Sequence, residues 1–152
     1  MSALYDNARN SFLLGTLCWS NASASASSGQ LRGLLVSSGY TFSATHTKTS
    51  DVGSSNIIGS SFSSGAGIGI TNIVSPVSGT SSNGVADAND TTFTAPSTTT
   101  AFNKVIITKG ASGGASSTDT LVAEWDVNST TPSGGDITIV WSNNSSTMMF
   151  KL

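Results

Sequence analysis

The chain has 152 residues, a formal net charge of -2, a pI near 4.9 and a single cysteine. That length is enough for one core without a metal or disulfide, and the lone Cys18 excludes an internal disulfide. Charged residues are 9% of the chain, Ser and Thr about a third, and the six cations are scattered, so no basic patch for nucleic acid is expected.

The first expected element is a short amphipathic helix over residues 3–14, with Leu4, Ala8 and Phe12 on one face and Gly15 as its C-terminal cap. Asp6 and Arg9 interrupt what a signal peptide would need as an apolar run, and no stretch approaches membrane-spanning length, so a cytoplasmic origin without membrane contact is expected. "TLCW" (16–19) reads as a first strand and "NASASASSG" as a polar loop. A strand follows around Leu31 to Val36, then an extended piece with Tyr40 and Phe42 on one face. Residues 45–84 are Ser/Gly-rich with short apolar islands and read as long loops ordered by contact, except that "GAGIGI" (65–70), with Ile68 and Ile70, lacks the Lys and following helix of a phosphate loop and reads as a glycine-kinked strand.

The second half is plainer. Residues 91–95, 102–108, 120–127, 136–141 and 147–152 are strand-length runs separated by Gly, Ser, Asn and Pro, and their spacing predicts an antiparallel meander. Val105 and Ile107 should share a face, as should Leu121, Ala123, Trp125 and Val127. The expected fold is mainly β, an antiparallel sandwich or jelly-roll-like domain with a short N-terminal helix. It forms one unit: helix over 1–15, loop-rich part over 16–83, meander over 84–152.

Chemistry is sparse. "GASGG" centres Ser112 as a nucleophile elbow would, but no strand-to-helix turn surrounds it. His46 has no second histidine or cysteine nearby, so zinc is not expected. Asp87, Asn89 and Asp90 begin like a calcium loop without its later glycine and glutamate, and read as a turn. Glu124 and Asp126, two apart on one strand face, are expected on the solvent side with Lys104 or Lys109 as cross-strand partner. Trp19, Trp125 and Trp141 are expected in the core rather than as sugar platforms. No catalytic residue, cofactor or metal is assigned. With few charges to guard its sheet edges, the chain is expected to have them covered by other subunits.

"YDNARNSFLLG", "GVADANDTTFTAPS" (84–97) and "LVAEWDV...GGDITIVWSN...FKL" resemble, in order and spacing, a family of small virion structural proteins of tailed bacteriophages. The resemblance covers both ends and the middle of the chain and is loose over 20–83; "NSTTPSGGD" is shorter and more polar than the family's corresponding turn. It implies a non-enzymatic role in the particle, favouring a capsid decoration or cement protein outside the head. The implied partners are the major capsid protein and copies of the chain itself, in the manner of a trimer. A tail, neck or baseplate component is the alternative, and a carbohydrate-binding module the second. Leu4, Tyr5, Phe12, Phe62, Ile68 and Ile70 are the candidate subunit contacts.

Overall fold

The structure, a computed structural model, describes residues 2–17, 30–58, 68–69, 85–86, 90–94, 96, 99–110, 116–141 and 150–151. "TLCW" beyond Leu17, the Ser112 loop, Asp87 and Asn89 lie outside them, as do Phe62 and Ile70.

Among the described residues the chain is mainly β with one short helix, as expected, and every strand pairing is antiparallel. Its centre is three strands: β2 (Gln30–Ser37), β6 (Phe102–Gly110) and β7 (Thr120–Thr130). In the five-stranded sheet they are flanked by β1 (Ser2–Leu4) beside β7 and β3 (Ile68–Gly69) beside β2, in the order β1-β7-β6-β2-β3. The three long strands carry near-continuous apolar runs because both faces of the sheet are covered.

On the first face lie Leu31, Leu35, Val105, Ile107, Val122 and Ala123. They are covered by Ala8 and Phe12 of the helix α1 (Asp6–Leu13) and by Phe93, Ile137, Ile139 and Trp141. These last residues come from, or directly follow, a ribbon in which β5 (Thr91–Phe93) pairs with β8 (Ile137–Ile139). The sandwich therefore has a ribbon as its second layer on this side. Gly33 sits beneath Phe93, whose ring tip would lie 3.1 Å from an added Cβ, so the ring rests on bare backbone.

On the second face Leu34, Val36, Ile106 and Leu121 pack with Tyr5, Tyr40, Val52, Ile57 and Phe42. The cover here is the segment 38–58, which includes two single-turn 3-10 helices, Thr49–Asp51 and Ser54–Asn56. Tyr40 and Phe42 do share a packing surface, although the segment carrying them is a loop and not a strand.

Three expectations are corrected. The helix begins at Asp6, because residues 2–4 pair with β7 in the register Ser2↔Trp125, Ala3↔Glu124, Leu4↔Ala123. The expected meander reduces to the β6–β7 pair: β8 pairs with β5, and β9 (Phe150–Lys151) pairs with β4 (Val85–Ala86). Finally, Leu121 does not share a face with Ala123, Trp125 and Val127. Ile107 is opposite Ala123 while Thr108 is opposite Leu121, so Val122 is an extra residue that reverses the alternation and sends Leu121 to the second face.

Short segments of the chain itself pair along the outer sides of β2 and β7. β3 pairs at Arg32 and Gly33, and Ile58 N–H donates to the Leu35 carbonyl at 2.9 Å. On β7, Leu121 N–H donates to the Thr47 carbonyl at 3.0 Å and Tyr5 N–H to the Val122 carbonyl at 3.2 Å, before β1 takes over. Gly15 takes φ +68° just past α1, the left-handed position foreseen for it.

Candidate functional site

Two places on the molecule have chemistry that the packing of a plain β core does not require. One is a polar seam across the second face; the other is the end of α1.

The seam starts at Lys104, in direct register with Asp126 across the β6–β7 ladder. Its Nζ donates to Asp126 Oδ1 at 2.8 Å and to Glu124 Oε1 at 3.0 Å. Asp126 is open to water, whereas the Glu124 side chain is only 5% exposed and its Oε2 has no hydrogen-bond partner. Burial pushes the Glu124 carboxyl above its ordinary range, against the pull of Lys104. Asp126 goes the other way, held low by its hydrogen bond from Lys104. Burial favours the neutral Lys104 amine, yet the two carboxylates outweigh it and keep the ammonium form past its usual range. The cross-strand partner expected for Glu124 and Asp126 is thus Lys104. The solvent position expected for Glu124 is corrected, because the segment carrying Tyr40 and the β1–α1 junction at Tyr5 close over this face.

Beside the triad runs a chain of hydroxyl contacts. Tyr5 and Tyr40 share a hydrogen bond of 3.0 Å, and the Tyr40 hydroxyl is 2.9 Å from His46 Nδ1. Tyr5 is fully buried, and burial raises its phenol far beyond the normal range, as it raises that of Tyr40. Both phenols stay neutral and act as hydrogen-bond groups only. His46 is therefore engaged with a tyrosine, and among the described residues no three metal-ligating side chains lie together.

Other reactive groups hold loops. Asp51 Oδ2 accepts from the backbone N–H of Lys48 at 3.0 Å and of Thr47 at 2.8 Å, which keeps its carboxyl below the usual range. Asp119 is buried and accepts from Ser116 N–H at 3.0 Å, and its carboxylate occupies the space where any side chain on Gly110 would go. Asp90 Oδ1 accepts from Trp141 N–H at 2.9 Å, so this residue of the calcium-like sequence anchors the ribbon. Trp141 is buried, donates its indole N–H to Thr91 Oγ1 at 2.9 Å, and meets Trp125 edge-on with centroids 5.2 Å apart. Trp141 and Tyr40 offer no stacking platform for a sugar, and Trp19 lies outside the described residues.

The candidate contact residues separate clearly. Leu4 and Tyr5 are buried in the chain's own interior, which corrects their assignment to a neighbour's surface. Phe12 is half-buried against the first-face core. Ile68 lies in β3 opposite Gly33. What the sequence reading missed is the pair Leu13 and Leu14, 86% and 77% exposed at the end of α1. The signal was present in "SFLLG": once Ala8 and Phe12 face inward four residues apart, the next two positions rotate away from the core.

No helix among the described residues is long and apolar enough to cross a membrane. Comparison with protein-family models, curated proteins and solved structures found no match for this chain.

Proposed function

We propose that this chain is a non-enzymatic structural protein of a tailed-phage particle, with decoration of the capsid exterior as its favoured place. The observation that carries the proposal is the exposed Leu13–Leu14 pair on a helix fixed by Ala8 and Phe12. Two neighbouring leucines held this far into water gain free energy only when something covers them, roughly 1.5–3 kcal/mol for each one fully buried.

Further support comes from where the family-like segments fall. "YDNARNSFLLG" begins at the buried Tyr5 and ends on the exposed leucines. "GVADANDTTFTAPS" supplies β4, Asp90 and β5, and the closing segments supply β8, Trp141 and β9. Segments far apart in the chain are thus partners in space, as β5 with β8 and β4 with β9. His46 pairs with the Tyr40 hydroxyl, Lys104 with Asp126 and one Glu124 oxygen, and Asp51 with backbone N–H groups, an arrangement that favours shape over turnover.

In this role each copy adds a modest apolar contact to a coat subunit or to another copy, and the symmetry of the shell multiplies it. The test is the double variant Leu13→Ser/Leu14→Ser added to heads that lack this protein. Folding should be unchanged within about 0.5 kcal/mol, as for surface substitutions generally, while occupancy on heads falls at least tenfold. Undiminished occupancy would remove the helix end from the interface.

A further inference from the structure

The Lys104 triad has the composition and geometry of a reactive site. An amine and a carboxyl face each other on adjacent central strands, in register, with Nζ 2.8 Å from Asp126 Oδ1. A second carboxyl, Glu124, touches the same amine at 3.0 Å from a position 4% exposed, and its other oxygen has no partner. As an ion pair alone, this arrangement leaves a buried carboxylate oxygen uncompensated, which is costly. As a proton-transfer group, the same oxygen is free to take and return a proton.

We propose that Lys104, Glu124 and Asp126 form a self-acting cross-linking site, at which the Lys104 amine condenses with the Asp126 side-chain carboxyl to join β6 and β7 by an amide bond. The ammonium is the resting form of Lys104, and Glu124, a carboxylate that burial pushes toward its neutral form, takes one proton from it and leaves two neutral groups. Glu124 passes that proton to an Asp126 oxygen, so that the freed amine meets a neutral carboxyl; it attacks Cγ, the C–N bond forms, and the C=O electron pair moves onto the other oxygen. As that pair returns and the C–O bond to the protonated oxygen breaks, the second proton lost by nitrogen joins the leaving oxygen, which departs as water. Lysine ammonium plus aspartate carboxylate becomes amide plus water, Glu124 returns to its starting state, and no outside reagent is consumed.

Asp126 is the electrophile for two reasons. It is the register partner of Lys104, so the ladder holds the reacting groups together and replaces a bimolecular encounter. Its carboxyl is also 57% exposed, which lets water hydrogen-bond to the oxyanion of the intermediate and gives the leaving water an exit. Glu124, attacked in its place, would build that oxyanion around an oxygen with no donor. The inference stands on this geometry and is independent of where the chain assembles.

The decisive experiment is the intact mass of the purified full chain, measured under denaturing conditions when fresh and after prolonged incubation in the folded state, with peptide mapping. The expected result is a species lighter by one water than the 15.3 kDa sequence, and a branched peptide containing Lys104 and Asp126. Asp126→Ala and Lys104→Arg should restore the full mass, and Glu124→Gln should slow cross-linking at least tenfold while circular dichroism still reports a folded chain. A wild-type chain that keeps its full sequence mass throughout overturns the proposal. So does a water loss that persists in Asp126→Ala, since it would then lie elsewhere in the chain. Cross-linking at an unchanged rate in Glu124→Gln overturns the role of Glu124.

Discussion

The two faces of the central sheet are built from the same three strands and do different work. The first is covered by aromatic bulk: Phe93, Trp141, Trp125 and the underside of α1 pack on aliphatic strand residues, with the Trp141 indole N–H as its main polar handle. The second mixes aliphatic residues with two hydrogen-bonded sets, Tyr5 with Tyr40 and Lys104 with Glu124. Apolar contact is non-directional and supplies most of the free energy, whereas hydrogen bonds between buried groups fix which residue meets which. The first face therefore acts as the source of stability, and the second holds the N-terminal segment, through Tyr5, in one position.

That division can be broken most severely at its seam. Val122→Asp puts an unpaired charge on the fully buried bulge residue of the first-face core and should abolish cooperative folding; a thermal melt by circular dichroism checks this. Phe93→Ala empties the layer over Gly33 and should cost about 3–5 kcal/mol in denaturant unfolding. Tyr5→Phe, on the other face, keeps the ring and removes one hydroxyl, so its cost should be nearer 1 kcal/mol. Amide hydrogen exchange in Tyr5→Phe should nonetheless accelerate at Asp6, whose N–H donates to the Ala44 carbonyl.

The smallest effect sharpens the comparison through pH. The Asp51 carboxyl is held low by backbone donors, so the folded state gains from its charge above the ordinary carboxylate range and loses that gain as pH falls through the depressed folded value. Exposure and screening limit the contribution, and Asp51→Asn should cost no more than about 1 kcal/mol near neutral pH. The difference from wild type should vanish in strongly acidic solution, which paired urea titrations would show. Glu124 works in the opposite sense: burial raises its carboxyl, so acidification relieves its charge and partly offsets the loss at Asp51.

The sequence announces the long strands because both of their faces are apolar, and Leu31 to Val36, 102–108 and 120–127 are found where the runs placed them. Pairing was less legible. β5 with β8 and β4 with β9 are long-range choices that no local pattern specifies, and residues 2–4 are too few to show an alternation. A bulge such as that at Val122 adds one residue without changing composition, so Leu121 read as a companion of Ala123. Glu124 read as solvent-facing because a charged residue alternating with apolar ones normally is; the fold of 38–58 and of Tyr5 over that face buries it. Its link to Lys104 was legible, since cross-strand charge pairing depends only on neighbouring strands. Leu13 and Leu14 were hidden by the misplaced helix start, which put Leu4 on the helical face in place of the strand.

The proposed role in a phage particle is tested most directly by counting. Quantitative mass spectrometry of purified virions, with the major coat protein as internal reference, gives the number of copies of this chain per particle. A number on the order of hundreds, comparable with the coat protein, is the result predicted for a decoration protein, because only the icosahedral shell offers that many equivalent sites. A small ring-like number would contradict the capsid assignment and place the chain in the neck or tail, and its absence from virions would contradict a structural role in the particle altogether.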